Sequence, residues 1–362
     1  MAETQAFDEA KYGEFCGRLF MATIDMGEVA TVYFGEKLGI YDALKETGPI
    51  MAPKLAEHLG LNERYLSEWL TQQSIAGILD VEDASDDASA RRYSICPEYA
   101  SILTDTTSPD YLGFVGRFFE AVGRVMPALL EGFKTGKGVP YSAFGPNAVE
   151  AQRAITLPGY VNSLVSDWVP NTPGLKEKLE AGAKVAEIAS GAGVAAVELA
   201  KAFPTITIDG YDLDEASVAE ARNRATEAGV SDRVTFTVAD ARDEKLAGTY
   251  DVVLVFEAIH DMGNPISPLA TMKRLLAPGG IAVVVDEKVQ DTFTAPGDEI
   301  ERFMALSSVV WCLPQGLADG PDAHGTLLRT PELTAYARKA GWNDVEVLPI
   351  EHPSWRFYRL VA

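Results

Sequence analysis

From Lys184 onward the chain alternates short apolar runs with longer amphipathic stretches. The runs are KVAEIAS, TITIDGYD, VTFTVAD, DVVLVF and IAVVVDE; between them lie GVAAVELAKAF, DEASVAEARNRATEAG and PISPLATMKRLL. Continuous apolar runs of strand length belong to strands buried on both faces, and parallel neighbours need a covering crossover between them. The alternation therefore predicts an α/β fold in which helices cover both faces of a parallel sheet, with five strands in strict strand–helix order. After Glu287 a loop-and-helix insertion runs to about Arg329. TPELTAYARKAG then reads as a helix with Thr330 as cap, Pro331 at its first position and Gly341 as its stop, and two last strands lie near DVEVLPI and WRFYRLV.

The first half reads differently. Between Phe7 and Leu44, Phe15, Leu19, Phe20, Val29, Val32, Tyr33, Phe34 and Leu38 recur at helical spacing, which predicts two helices with a wide apolar face. APKLAEHLG is a short helix stopped by Gly60, and Asn62 caps ERYLSEWLTQQSIAGIL. Polar VEDASDDASARR and then YSICPEYASIL follow. Helix, turn, helix, hairpin is the winged-helix order. Aromatic-rich helices fill 110–170, so the division falls near residues 170–174: a helical winged-helix-like domain over 1–170 and an α/β domain over 171–362.

Charge narrows the partners. With 31 Lys+Arg against 53 Asp+Glu, the net charge of -22 repels nucleic acid and anionic membrane surfaces. A winged helix that reads DNA needs cations on its second helix, and Asn62–Leu79 offers Arg64 against Glu63 and Glu68. Neither nucleic acid nor membrane is expected. Cys16, Cys96 and Cys312 lie far apart, so neither a disulfide framework nor a metal site is expected from their spacing. Glu3, Asp8, Glu9, Lys11 and Glu14 interrupt the segment where a signal peptide needs an apolar core, which predicts a cytoplasmic protein.

The chemistry-bearing residues gather at strand ends. The first strand runs into a helix through Glu187-Ile188-Ala189-Ser190-Gly191-Ala192-Gly193, a turn whose glycines let a nucleotide-like ligand approach the backbone. Alone, this turn fits a nicotinamide cofactor equally well. Asp212, at the tip of the second strand, is placed to accept both hydroxyls of a ribose. Asp240, in Ala239-Asp240-Ala241 at the tip of the third, is placed to accept a hydrogen bond from an adenine amino group.

Together with YDVVLVFEAIHD and LLAPGG before a strand, these residues resemble the class I S-adenosylmethionine-dependent methyltransferases. The resemblance implies a Rossmann-like sheet, mostly parallel with its last strand antiparallel, and S-adenosyl-L-methionine as cofactor. It implies that Glu187, Ala189, Gly191 and Gly193 flank the methionine part, that Asp212 holds the ribose with Leu213 as a further cofactor-binding residue, that Asp240 and Ala241 frame the adenine, and that Phe256 and Glu257 close the site. The sequence departs from the family at Ala189, where glycine is usual. The whole chain is similar to small-molecule O-methyltransferases with an N-terminal winged-helix-like dimerisation domain, and more closely to a bacterial branch that includes mycobacterial proteins, through EKLGIYDAL, R-Y-L-x-E-W-L and E-A-I-H-D-M. That likeness implies a homodimer acting on a small acceptor.

His260 and Asp261 follow the fourth strand. Because the electrophile in methyl transfer is already activated, a protein mainly aligns the reactants and takes the acceptor's proton, which suits a neutral imidazole. His260 is therefore the candidate general base, with Asp261 beside it; a purely structural role is the competing reading. His324 is a second histidine that can reach a pocket. Alternatives at this level are the same cofactor with carbon, nitrogen or sulfur as acceptor atom, a cofactor-sensing DNA-binding regulator, and a nicotinamide-dependent oxidoreductase.

Overall fold

The computed structural model describes residues 7–82, 87 and 90–362. Two compact units emerge, one of Met1–Ala121 with Asn147–Ile155 and one of Val122–Pro146 with Thr156–Ala362.

In the first unit, helix α1 (Glu9–Lys37) begins at Asp8, whose carboxylate accepts from the N–H groups of Ala10 and Lys11. Helices α2 (Ile40–Thr47), α3 (Ala52–Leu59) and α4 (Glu63–Ile75) follow. Gly60 ends α3 in the left-handed conformation, and Asn62 caps α4 by accepting from the N–H of Tyr65, both as the sequence predicts. Strands β1 (Ile50–Met51), β2 (Asp80–Glu82) and β3 (Arg92–Ser94) form a small antiparallel sheet in the order β1-β3-β2. The polar stretch expected within this hairpin lies largely outside the described residues. The core gathers Tyr41, Leu44, Leu55, Leu70 and Tyr93 around Trp69. Gly35 belongs here because a Cβ would stand 2.4 Å from the Tyr41 ring and 2.6 Å from Trp69.

The second unit carries β4 (Lys184–Ile188), β5 (Thr207–Asp212), β6 (Val234–Val238), β7 (Tyr250–Phe256), β8 (Leu276–Glu287), β9 (Asp344–Val347) and β10 (Trp355–Val361). They form a seven-stranded sheet in the order β6-β5-β4-β7-β8-β10-β9. β4 to β8 are mutually parallel, and β10 runs antiparallel to β8 and to β9. Val185, Ala186, Ile188, Val252, Val253 and Val255 are completely buried, which explains why these strands read as continuous apolar runs.

Two local expectations are corrected. Residues 239–249 connect β6 to β7 without a helix, so the alternation is broken once. The Thr330–Lys339 helix is capped by Arg329, not Thr330: the Glu332 carboxylate accepts the Arg329 N–H, while the Thr330 hydroxyl accepts from Arg356 at 2.8 Å. Thr330 is engaged by β10 and is the first residue of the helix. No helix among the described residues is long and apolar enough to cross a membrane.

Candidate active site

The chain leaves β4 for β5 and then β6, and returns to the other side of β4 with β7, which creates a switch point at the carboxyl ends of β4 and β7. Crevices at such points are where open α/β sheets bind ligands. A cavity of about 490 Å³ lies there, lined by residues that include Tyr141, Ala189, Asp212, Asp240, Asp261 and Met262. Of the residues singled out in the sequence, Ala189, Asp212, Leu213, Asp240, Ala241 and Asp261 line this cavity. Glu187, Gly191, Gly193, Phe256, Glu257 and His260 are not among the residues that line it.

The turn after β4 is held by its own backbone. Ala189 has φ 54, Gly191 φ 51 and Gly193 φ 72. The position where the family usually has glycine is thus one where glycine is the unstrained residue, and the alanine carries a conformational cost of about 1–2 kcal/mol. At Gly193 a Cβ would meet the Phe236 ring at 2.5 Å and Ala221 at 2.8 Å, so this glycine also permits close packing. Asp212 fastens the turn: Oδ2 accepts the Gly191 N–H at 2.7 Å and Oδ1 the Asp214 N–H at 2.9 Å. Burial raises the Asp212 carboxyl above its usual range despite these bonds.

Beneath the turn, Glu187 is buried and pushed up to about 8 by desolvation. Its Oε2 and the neighbouring Ser190 Oγ are buried and have no hydrogen-bond partner. Unpaired buried polar atoms are what a polar or cationic ligand would satisfy, and Ala189, between these two residues, lines the cavity.

Asp240 is engaged more tightly than its sequence position suggested. Arg242 binds both its oxygens, with Nη2 at 2.7 Å from Oδ2, and this hydrogen bonding holds the carboxyl below its ordinary value. Arg242 also reaches Asp319 at 2.7 Å, and Asp319 in turn accepts the Gly263 N–H at 2.9 Å. Phe256 does not face the cavity: its ring packs edge-on to Tyr160 at 5.5 Å and near Trp168 at 6.4 Å. Glu257, with φ 52, accepts from Trp355 Nε1 at 2.8 Å and shares a hydrogen bond with Glu287. Burial raises both carboxyls, Glu257 to about 7 and Glu287 well above the usual range, which favours a proton shared between them.

His260 is 2% exposed. Its Nδ1 lies 2.7 Å from Asp286 Oδ1, and its Nε2 lies 3.3 Å from Asp261 Oδ1. Desolvation pushes the imidazole pKa down, but Asp261 and Asp286 outweigh it and raise it well above its ordinary value. Asp286 escaped the sequence reading, although an acid ending an apolar strand was the signal used for Glu187, Asp212 and Asp240. Tyr141 and Asp319 gave no such signal, because they reach the cavity from segments distant in sequence, and Arg242, two residues after Asp240, is a cation where the signal was an acid at a strand tip. His324 is occupied elsewhere, with Nδ1 3.0 Å from the Tyr336 hydroxyl and Nε2 3.2 Å from the Leu327 carbonyl.

Known proteins share the fold and its two domains. Residues 179–321 match the family model described as a methyltransferase domain, and residues 29–105 match the Rv2258c-like winged HTH domain. A ubiquinone biosynthesis O-methyltransferase of Pseudomonas aeruginosa (strain LESB58) is 27% identical over 204 residues, covering 55% of this chain and 80% of its own. The mitomycin 7-O-methyltransferase MmcR shares the fold with TM-score 0.72 at 18% identity, over 97% of this chain and 99% of its own. Human N-acetylserotonin methyltransferase, solved in complex with SAM, does so with TM-score 0.71 at 15% identity, over 100% of this chain and 99% of its own. The chain therefore carries a methyltransferase domain behind an N-terminal winged helix-turn-helix domain.

Proposed function

We propose that this enzyme transfers the methyl group of S-adenosylmethionine to an oxygen of a small, largely apolar acceptor. The observation that carries the reading is that four successive parallel strands deliver Ala189, Asp212, Asp240 and Asp261 to one cavity. The residues present fit the cofactor: Asp212 offers a fixed carboxylate, the Gly191–Gly193 turn an open backbone, and Glu187 and Ser190 buried atoms in want of a partner. Glu187 and the turn would hold the methionine part, Asp212 and Leu213 the ribose, and Asp240 with Ala241 the adenine. The bound cofactor supplies an electrophilic methyl group on a sulfonium.

The protein's own contribution is alignment and proton removal. Asp261 stands on the cavity wall, His260 lies directly behind it, and Asp286 fixes the ring by accepting from Nδ1–H. That bond leaves Nε2 as the basic nitrogen of the neutral imidazole, facing Asp261. We assign the acceptor's proton to the His260–Asp261 pair, with Asp286 as the positioning residue. Oxygen is preferred to carbon, nitrogen or sulfur as acceptor atom because a hydroxyl is the nucleophile that most needs such a base. The experiment is incubation with S-adenosylmethionine and a panel of phenols and hydroxylated aromatics, followed by mass spectrometry. Methyl ethers support the assignment, and methylation confined to nitrogen, carbon or sulfur overturns the choice of atom.

The assembly we propose is a homodimer. Helix α1 is exposed along residues 9–27 and presents Phe15, Leu19, Phe20, Met21, Ile24 and Met26 to solvent. An apolar stripe of this length calls for a cover, and a second copy across a two-fold axis is the commonest one. A cytoplasmic location is in keeping with three unpaired cysteines.

A further inference from the structure

His260 and Asp261 sit on the turn after β7, and Cys312 lies within the insertion that follows β8, at the end of the π-helical turn Ser308–Cys312. One donor atom from each of the three lies within 4.8 Å of the others. Nδ1 of His260 is committed to Asp286, so Nε2 is the ring atom left to bind. Asp261 Oδ1 is buried without a hydrogen-bond partner, 3.3 Å from that nitrogen. A carboxylate holding the far side of a histidine ring is the arrangement that orients metal-binding histidines elsewhere. One nitrogen, one sulfur and one oxygen donor suit zinc or cobalt, whereas magnesium and calcium prefer oxygen alone. Asp261 also lines the cavity, which provides a way in for an ion.

We propose that His260, Asp261 and Cys312 form a three-ligand site for a zinc-like divalent cation, and that its occupancy withdraws His260 from proton transfer. Binding replaces the S–H proton of Cys312 by a sulfur–metal bond, the proton passing to the buffer, and it displaces the hydrogen bond the thiol shares with His260. Zinc is then an inhibitor that competes for the base itself. The inhibitory half of the proposal rests on the catalytic reading above; the binding half does not.

The test is titration of the full-length, chelator-treated protein with cobalt(II), followed by absorption. The proposal predicts one cobalt per chain, with a near-ultraviolet thiolate-to-cobalt charge-transfer band that zinc abolishes. Cys312→Ser removes the band, and the double variant Cys16→Ser/Cys96→Ser keeps it. Asp286→Asn, which leaves all three ligands in place, weakens cobalt binding by about 10–100-fold. Absence of the band, or its survival in Cys312→Ser, overturns the site. Zinc bound at this site with undiminished methyl transfer would uphold the site and remove His260 from catalysis, so the two failures are distinguishable.

Discussion

At the scale of single residues, the proposed proton transfer turns on His260. His260→Ala is expected to lower turnover by roughly 10²-fold while leaving cofactor affinity intact, measured by steady-state kinetics and calorimetry. Unchanged turnover would make the histidine structural. Because Asp261 and Asp286 raise the imidazole well above its ordinary value, the neutral, proton-accepting form grows as pH rises, and kcat should climb through the neutral-to-alkaline range. Asp286→Asn removes one of the two charges that favour the imidazolium. The kcat limb should then move to lower pH while its plateau falls, and a limb that stays in place would detach Asp286 from the base.

The buried acids set the pH dependence of stability. Glu187 at about 8 and Glu257 at about 7 are raised by burial above the ordinary carboxylate range, so the folded state holds protons that the unfolded chain has released. Their contribution is most favourable in mild acid and is lost as pH climbs from roughly 4.5 to 8. Thermal unfolding of the cofactor-free protein should show that decline, and Glu187→Gln should flatten it. An equal slope in the variant would contradict the burial argument.

At the scale of elements, the turn after β4 is where sequence and strain meet. Ala189→Gly relieves a left-handed alanine, less the entropy of a freer unfolded chain, and should stabilise the protein by about 0.5–1 kcal/mol with cofactor binding retained. Gly193→Ala adds a side chain where φ is 72 and Phe236 stands 2.5 Å away, so a loss of about 3 kcal/mol is expected by chemical denaturation. The turn was legible because glycines, an acid and a strand–helix junction are local signals. The five parallel strands were legible for the same reason: burial on both faces writes itself as an unbroken apolar run. The link from β6 to β7 was not, since residues 239–249 carry no helix and their path is set by the sheet they cross. Nor was the cap at Arg329, because the Thr330 hydroxyl is claimed by Arg356, a partner on β10 that local pattern does not reveal.

At the scale of the whole molecule, what the sequence could not show is what the fold brings together. Tyr141, and Cys312 with Asp319 of the insertion after β8, reach the candidate site from segments remote from the strand tips, and their convergence is a property of sheet order and loop path. The exposed apolar face of α1 makes the assembly state a prediction of its own. The protein should elute as a dimer at micromolar concentration by light scattering, and Phe15→Glu with Phe20→Glu should shift it to monomer; a wild-type monomer would remove the homodimer.

The central claim is that the cavity at the ends of β4 to β7 binds S-adenosylmethionine. Isothermal titration of the full-length protein with S-adenosylmethionine and with its demethylated product tests it most directly. One site per chain, lost in Asp212→Ala and not imitated by NAD, is the result predicted. No heat with either compound, or binding unchanged in Asp212→Ala, would contradict it.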